Sequence, residues 1–258
     1  MGRRRNSSRH HKRGRFAFLY KMLSMLVICG AIIAALTLFF RVDTVEVTGQ
    51  QRYTAEDIRT AAGVEAGDNL FLFNKYDMAG RIIAQLPYVE EIRINRKLPD
   101  TLVIQVKECA KPLAVVQGES AWLVSTRGKI VEQTEAAAAG EYGVISGCEL
   151  LTPSVGTRIA LATEYTAQQE SLFSLLGALE NAGMLEKVDG IRLDDLSTLY
   201  LDYDGRFTVK LPYGADYDFK LMALKTYLED TGVIQDNMSG TFDMQADEDR
   251  TYFKPNVR

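Results

Sequence analysis

The sequence predicts an α+β protein with one N-terminal transmembrane helix, a β-α-α-β-β unit directly behind it, and then a mostly antiparallel β domain carrying two or more helices. Three observations support this architecture. An apolar run from Met22 to Phe40 carries no charge, the residues after it switch from strand-like alternation to two helical stripes and back, and the remainder is dominated by short alternating segments.

The charge is sorted along the chain. Residues 1 to 21 hold Arg3, Arg4, Arg5, Arg9, Lys12, Arg13, Arg15 and Lys21 without an acid, so the remaining 22 basic residues face all 34 acids and carry a formal charge of −12. Met22 to Phe40 spans about 28 Å as a helix, close to the ~30 Å of a hydrocarbon core. A cleaved signal peptide is the alternative, but its apolar region is usually shorter and ends in a small-x-small site, whereas this run ends Thr-Leu-Phe-Phe. Basic residues stay on the cytoplasmic side of a span, and only Arg41 and Arg52 follow closely, so the N-terminus is expected inside and the C-terminus outside. Residues 1–21 then read as a solvated topogenic tail, residues 22–40 as the part in membrane lipid, and the acidic remainder as a poor surface for nucleic acid.

Behind the span, Val42 to Thr48 alternates like a strand and Gly49 closes it. Thr54 with Asp57 has the spacing of a capping box, which predicts a short helix from Thr54 to Ala62 ended by Gly63 and Gly67. A second helix is expected from Asn74, with Met78, Ile82, Ile83 and Leu86 on one stripe before Pro87 stops it. Tyr88 to Arg96 and Leu102 to Lys107 read as strands joined by the turn 97–101. Pairing Arg96 with Leu102 sets Ile94 opposite Ile104 and Ile92 opposite Val106, which makes one face uniformly apolar.

This unit resembles a POTRA domain, through Val45-Glu46-Val47-Thr48-Gly49, Gly67-Asp68-Asn69-Leu70-Phe71, Leu86-Pro87-Tyr88-Val89, and Leu98-Pro99-Asp100-Thr101-Leu102-Val103-Ile104 before Val106-Lys107-Glu108. Each motif is common alone. Their order and spacing behind a basic tail and one span are specific, and together they resemble the FtsQ/DivIB cell-division family. Cys109 is a departure, because the resemblance implies Arg after Glu108.

From Lys111 onward the pattern is mostly β. Trp122 to Val124 and Lys129 to Glu132 flank Ser125-Thr126-Arg127-Gly128 as a hairpin, Glu135 to Gly140 reads as a surface loop or frayed helix, and Thr166 to Ala182 as a core-packed helix with Leu172, Leu175, Leu176 and Leu179 on one face and Gly183 at its end. In Leu199 to Leu211, a three-residue loop Tyr203-Asp204-Gly205 would pair Leu201 with Phe207 and Leu199 with Val209. A helix from Asp218 to Asp230 offers Phe219, Met222, Leu224 and Leu228, and Gly240 to Gln245 and Arg250 to Lys254 read as closing strands. Val144-Ile145-Ser146-Gly147, Val209-Lys210-Leu211-Pro212-Tyr213-Gly214, Lys220 and Thr241-Phe242-Asp243-Met244 resemble the second domain of the same family. The expected organisation is therefore a tail 1–21, a span 22–40, a POTRA domain 41–110, a β domain 111–255 and a short tail 256–258.

Catalytic and metal chemistry is sparse. Both histidines, His10 and His11, precede the span, so the outer part has no imidazole to serve a serine or cysteine nucleophile or a zinc ion. No phosphate-cradling glycine motif occurs. Cys29 lies in the span, and Cys109 and Cys148 lie where oxidation is permitted, but their spacing fixes no pairing. Asp194-Asp195 and Asp202-x-Asp204 are the candidate carboxylate pairs for a peptidoglycan-acting enzyme, and strand alternation together with the turn role of Asp204 argues against them. We therefore expect no catalytic, cofactor or metal residues.

Binding is the expected activity, by strand addition to an unpaired sheet edge. The FtsQ/DivIB resemblance implies partners: the bitopic division proteins FtsB/DivIC and FtsL, held through the C-terminal domain in septum assembly. By position this falls on Thr241, Phe242, Met244, Tyr252 and Phe253, with Arg250 as a charged partner, although Phe242 and Met244 equally suit a core. The edge at Val42 to Thr48 is a candidate for a second partner, peptidoglycan contact is left open, and a POTRA-bearing transport or secretion component is the remaining alternative.

Overall fold

The computed structural model describes residues 13–229, 234–235, 237–246 and 250–256. The first helix, α1, runs Arg13–Phe39, and its part Phe18–Phe39 is long and apolar enough to cross a membrane, with none of it buried against the rest of the protein. The tail expected over 1–21 lies outside the described residues up to position 12, as do both histidines.

Strand β1 is Thr44–Thr48, two residues shorter at its start than the alternation suggested. Val42 is withheld from the ladder because its N–H donates to the Asp68 carbonyl at 2.7 Å and its carbonyl accepts from Gly67 at 2.8 Å. Helix α2, Ala55–Ala62, starts with the full capping box of Thr54 and Asp57 and ends at left-handed Gly63. Helix α3, Lys75–Gln85, starts at Asn74, whose side chain accepts from the Tyr76 N–H, and buries Met78 and Ile82. Strands β2, Val89–Lys97, and β3, Thr101–Glu108, pair as expected, with Ile94 opposite Ile104 and Ile92 opposite Val106. β1 joins the far side of β3 in parallel, giving the order β1-β3-β2. Ile58, Leu70, Met78, Ile82 and Ile104 are fully buried between the helices and this sheet.

The second module is one nine-stranded sheet. Its strands are β4 Leu113–Gln117, β5 Ser120–Val124, β6 Ile130–Glu135, β7 Gly143–Ser146, β8 Val188–Arg192, β9 Thr198–Tyr203, β10 Phe207–Pro212, β11 Gly240–Asp243 and β12 Tyr252–Pro255. They lie in the order β12-β11-β10-β9-β8-β7-β4-β5-β6. The pairs β4/β7, β7/β8 and β10/β11 are parallel and the others antiparallel. Residues 136–141 form a short 3-10 turn rather than a loop, seating Ala139 in a small core. Helix α4, Thr166–Ala182, and helix α5, Tyr217–Glu229, pack on the sheet. All four leucines expected of α4 are fully buried, each worth about 1.5–3 kcal/mol relative to exposure.

Two expectations are corrected. The β9–β10 hairpin does have a three-residue loop, but it is Asp204-Gly205-Arg206, so Leu201 pairs with Val209 and Leu199 with Leu211. Asp204 and Gly205 are both left-handed, with φ of 58° and 62°, and the chain turns immediately after Tyr203, moving the register by two residues. A two-residue move preserves face parity, so the apolar face is unchanged. On α5 the buried residues are Tyr217, Lys220, Leu221 and Leu224, whereas Phe219 and Met222 face outward at 44% and 68% exposure. The helix is rotated to bury Lys220, for a reason given below. Its expected end, Asp230, lies outside the described residues.

Candidate functional site

The C-terminal end of the nine-stranded sheet is built from β11 and β12. Gly240 starts β11 because a Cβ there would collide with the Lys254 carbonyl oxygen and lie 2.8 Å from the Phe253 ring. Close approach of β12 therefore depends on the missing side chain. Behind the two strands, Phe242 sits 5.4 Å from the Phe207 ring and 4.7 Å from the Phe253 ring. Met244 follows, its N–H donating to the Lys210 carbonyl at 3.0 Å and its own carbonyl accepting from Lys220 Nζ at 2.8 Å. Lys220 is only 6% exposed, so the turn of α5 that hides its stem delivers the ammonium to the end of β11. Gln245 is tied in as well, its amide nitrogen lying 2.5 Å from Thr198 Oγ1.

These contacts sort the six residues expected to meet a partner. Phe242 and Met244 are buried at 1% and 2% exposure and fill the core. Thr241 and Phe253 are half-buried, while Arg250 and Tyr252 are exposed, Tyr252 at 56%. Among the described residues β12 pairs only with β11 and is the last strand of the sheet. The Asn256 N–H donates back to the Ser239 carbonyl at 2.9 Å, so by alternation the backbone groups of Phe253 and Thr251 point away from β11. The other edge considered, β1, is likewise paired only with β3.

Three of the four carboxylates weighed as catalytic groups, Asp195, Asp202 and Asp204, are occupied structurally. Asp195 accepts from the Ser197 and Thr198 N–H groups and the Ser197 hydroxyl, which hold its carboxyl below the usual range. Asp202 accepts from Arg192 at 3.0 Å and from the Thr208 hydroxyl at 2.7 Å. Asp204 pairs with Arg206 at 2.5 Å and Lys187 at 3.2 Å, and the Arg206 hydrogen bond lowers its pKa first. Among the described residues no group of three or more His, Cys, Asp or Glu side chains is placed to hold a metal ion. Cys109 and Cys148 are both free thiols, pushed up to about 12 and about 11, in each case chiefly by burial. Cys109 fills an apolar site shared with Tyr88, Ala114 and Leu123, where a charged side chain would be desolvated.

One constellation had no sequence signal: the seam between the two modules. Arg52 stacks on Tyr88 with its guanidinium carbon 3.9 Å from the ring centre and pairs with Glu132 at 2.9 Å, and the Tyr88 hydroxyl donates to the same Glu132. Lys129 Nζ donates to the Ile83 and Val89 carbonyls at 3.1 and 3.3 Å, and its burial lowers its pKa. Lys107 pairs with Glu180, Arg127 with Glu91, and Glu90 lies half-buried among them with one oxygen enclosed and unpartnered, its pKa raised chiefly by burial. These residues sit on different elements and meet only in the folded chain.

Residues 40–108 match the family model of the FtsQ-type POTRA domain. The chain is 30% identical to a cell division protein FtsQ of Koribacter versatilis over 202 residues, covering 74% of this chain and 56% of the relative. It is 27% identical to a cell division protein FtsQ of Geobacter sp., over 67% of this chain and 58% of the relative. It is 24% identical to a cell division protein DivIB of Clostridium botulinum, over 60% of this chain and 62% of the relative. The chain thus spans somewhat more than half the length of these relatives. Alignments of 202 and 176 residues are too long to be confined to the first module and continue into the nine-stranded sheet. With the FtsQ-type unit placed directly behind an apolar helix, and the likeness carried beyond it, the comparisons support the FtsQ/DivIB family for this chain.

Proposed function

We propose that this chain is a membrane-anchored, non-enzymatic scaffold of bacterial cell division that holds bitopic membrane proteins of the FtsB/DivIC and FtsL kind outside the cytoplasm. Residues 1–21 are then the cytoplasmic tail, residues 22–40 the anchor, residues 41–110 the POTRA domain, residues 111–255 the partner-binding β domain and residues 256–258 a short tail, with the chain concentrated at the division septum.

The observation that carries this reading is the free side of β12. An unpaired strand edge leaves backbone N–H and C=O groups that an incoming extended segment satisfies, and the exposed Tyr252 with nearby Arg250 supplies side-chain contacts around it. Thr241, Phe242, Met244 and Phe253 hold that edge in place from behind. A non-enzymatic role is supported by the structural partners that occupy Asp195, Asp202 and Asp204.

Backbone pairing is tested by Thr251→Pro, which removes an outward N–H while leaving the Phe253 ring stack in place, alongside Tyr252→Ala. Co-purification of the two bitopic partners from membranes should fall at least tenfold for Thr251→Pro and by less for Tyr252→Ala. Undiminished recovery with both variants would remove this edge as the docking site. Septal enrichment of a fluorescent fusion checks the division role independently.

A further inference from the structure

We propose that the first module makes a second, monotopic contact with the bilayer: the loop 69–73 and the β2–β3 turn lie in the outer interfacial zone of the membrane and insert their apolar side chains among the lipids. The inference rests on reading α1 as a membrane anchor.

In the first module, residues 41 to 110, four large apolar side chains are exposed: Phe71 at 49%, Leu72 at 79%, Tyr76 at 79% and Leu98 at 56%. Phe71 and Leu72 belong to the loop that meets α1, Leu98 to the β2–β3 turn, and Tyr76 to the first turn of α3 just after that loop. Asn69 Nδ2 donates to the carbonyls of Leu36 and Thr37 at 3.2 and 3.3 Å, and the Leu70 N–H donates to the Phe40 carbonyl at 3.0 Å. The loop therefore satisfies the open carbonyls of the last turn of α1. At a rise of about 1.5 Å per residue, Thr37 is only about 3 Å below the end of the helix at Phe39, so the loop is held at the depth where the apolar run ends. The ring of Phe71 packs edge-on against Phe40 at 5.1 Å, making the patch continuous with the apolar surface of the helix.

The β2–β3 turn lies at the helix-facing end of the sheet. Four residues separate β1 from the end of the helix at Phe39; β1 runs parallel to β3, with Thr44 opposite Thr101, and the Asp43 N–H donates to the Asp100 carbonyl at 2.9 Å. Leu98 thus projects from the membrane-proximal turn. Arg96 joins the two pieces, its guanidinium donating to the Phe73 carbonyl at 3.1 Å and lying 5.8 Å from the Phe71 ring.

Charge does not select anionic lipid here. Arg41, Lys75 and Arg96 are interleaved with Asp43, Asp68, Asp77 and Asp100, and Lys97 is paired with Glu46 at 3.1 Å. Apolar insertion drives the contact, with long basic side chains reaching back to the headgroups and aromatic rings at the interface. The consequence is a fixed tilt of the first module on the membrane, since a helix and two loops define a plane where a helix alone leaves a swivel.

The test uses the full chain in phosphatidylcholine and phosphatidylglycerol vesicles whose acyl chains are brominated close to the headgroup. The protein has a single tryptophan, Trp122 in the second module, so the wild type supplies the reference signal. Leu72→Trp should show blue-shifted emission that the brominated lipid quenches, and Leu26→Trp, within the helix, should be quenched as well. Quenching at position 26 without quenching at position 72 overturns the interfacial contact alone. A blue-shifted Leu72→Trp that no brominated lipid quenches would put the patch against protein and overturn it too. Absence of quenching at both positions overturns the anchor and this contact with it. Leu72 and Leu98 are exposed, so neither Leu72→Trp nor the confirming Leu98→Trp disturbs the core.

Discussion

Lys220 of α5 donates its ammonium to the carbonyl of Met244 at 2.8 Å, inside a region where both residues are almost fully buried. The bond pins the end of β11 to the helix behind it. Lys220→Met keeps most of the apolar stem but leaves the carbonyl unpaired in a dry site, which costs about 1–3 kcal/mol. Met244→Leu, which keeps that carbonyl and nearly the same volume, should cost less than about 1.5 kcal/mol. Urea unfolding of the two variants in detergent separates them; equal midpoints would mean the bond contributes nothing.

Gly240 controls whether β12 can close on β11. Gly240→Ala places a methyl group against the Lys254 carbonyl and the Phe253 ring, an overpacking worth about 1–3 kcal/mol. The strain falls on the outermost strand, which has one neighbour to hold it. Backbone amides of Tyr252 and Lys254, which point toward β11, should exchange hydrogen faster in the variant, while those of β9 and β10 keep their protection. Uniform loss of protection across the sheet would contradict this local account.

The hairpin at Asp204-Gly205 gives a third comparison. Gly205 has open space where a Cβ would go, so Gly205→Ala meets only the left-handed backbone penalty of about 1–2 kcal/mol. Asp204→Ala meets the same penalty and also loses the pairs with Arg206 and Lys187, about another 0.2–1 kcal/mol. Asp204→Asn tolerates the backbone conformation and should be milder than Asp204→Ala. Thermal unfolding should therefore rank Asp204→Asn above Asp204→Ala.

The same hairpin marks how far sequence reasoning reaches. Loop length and the dry face were legible, because alternation fixes which side chains point inward. The register was not, since counting from Gly205 alone ignores that Asp204 is also left-handed. Local chemistry carried α2, α3 and α4 to within a residue or so: a capping box, an Asn cap and a C-terminal glycine are all readable from neighbours in the chain. What neighbours cannot reveal is the partner across space. The parallel joins of β1 to β3, β4 to β7 and β10 to β11 carry no adjacent turn, so the strand order stayed hidden. The outward face of Phe219 and Met222 was missed because a buried lysine, normally placed outside, sets the rotation of α5. Within the candidate edge, the strands were legible, but the division between buried Phe242 and exposed Tyr252 required the packing of Phe207 behind them.

Glu90 connects the seam between the modules to pH. It faces Ser125 and Arg127 of the β5–β6 turn, Lys107 of β3, Lys129 of β6's approach and Glu180 of α4, and burial dominates, raising its pKa above the ordinary 4.5. Glu180 behaves oppositely: burial works against ionisation, but hydrogen bonds from Lys107 and Thr126 outweigh it and hold its pKa down. A raised carboxyl binds its proton more tightly in the folded than in the unfolded chain. The contribution of Glu90 is thus fully present below 4.5 and is lost as pH rises through its higher folded value. Glu90→Gln removes the cost of burying a charge while keeping the shape. Its Tm should match that of the wild type at pH below 4.5 and exceed it at pH 7, the gap opening between those points. A Glu90→Gln variant less stable than wild type at pH 7 would mean that Arg127, Lys107 and Lys129 stabilise the ionised carboxylate by more than its desolvation costs, reversing the sign.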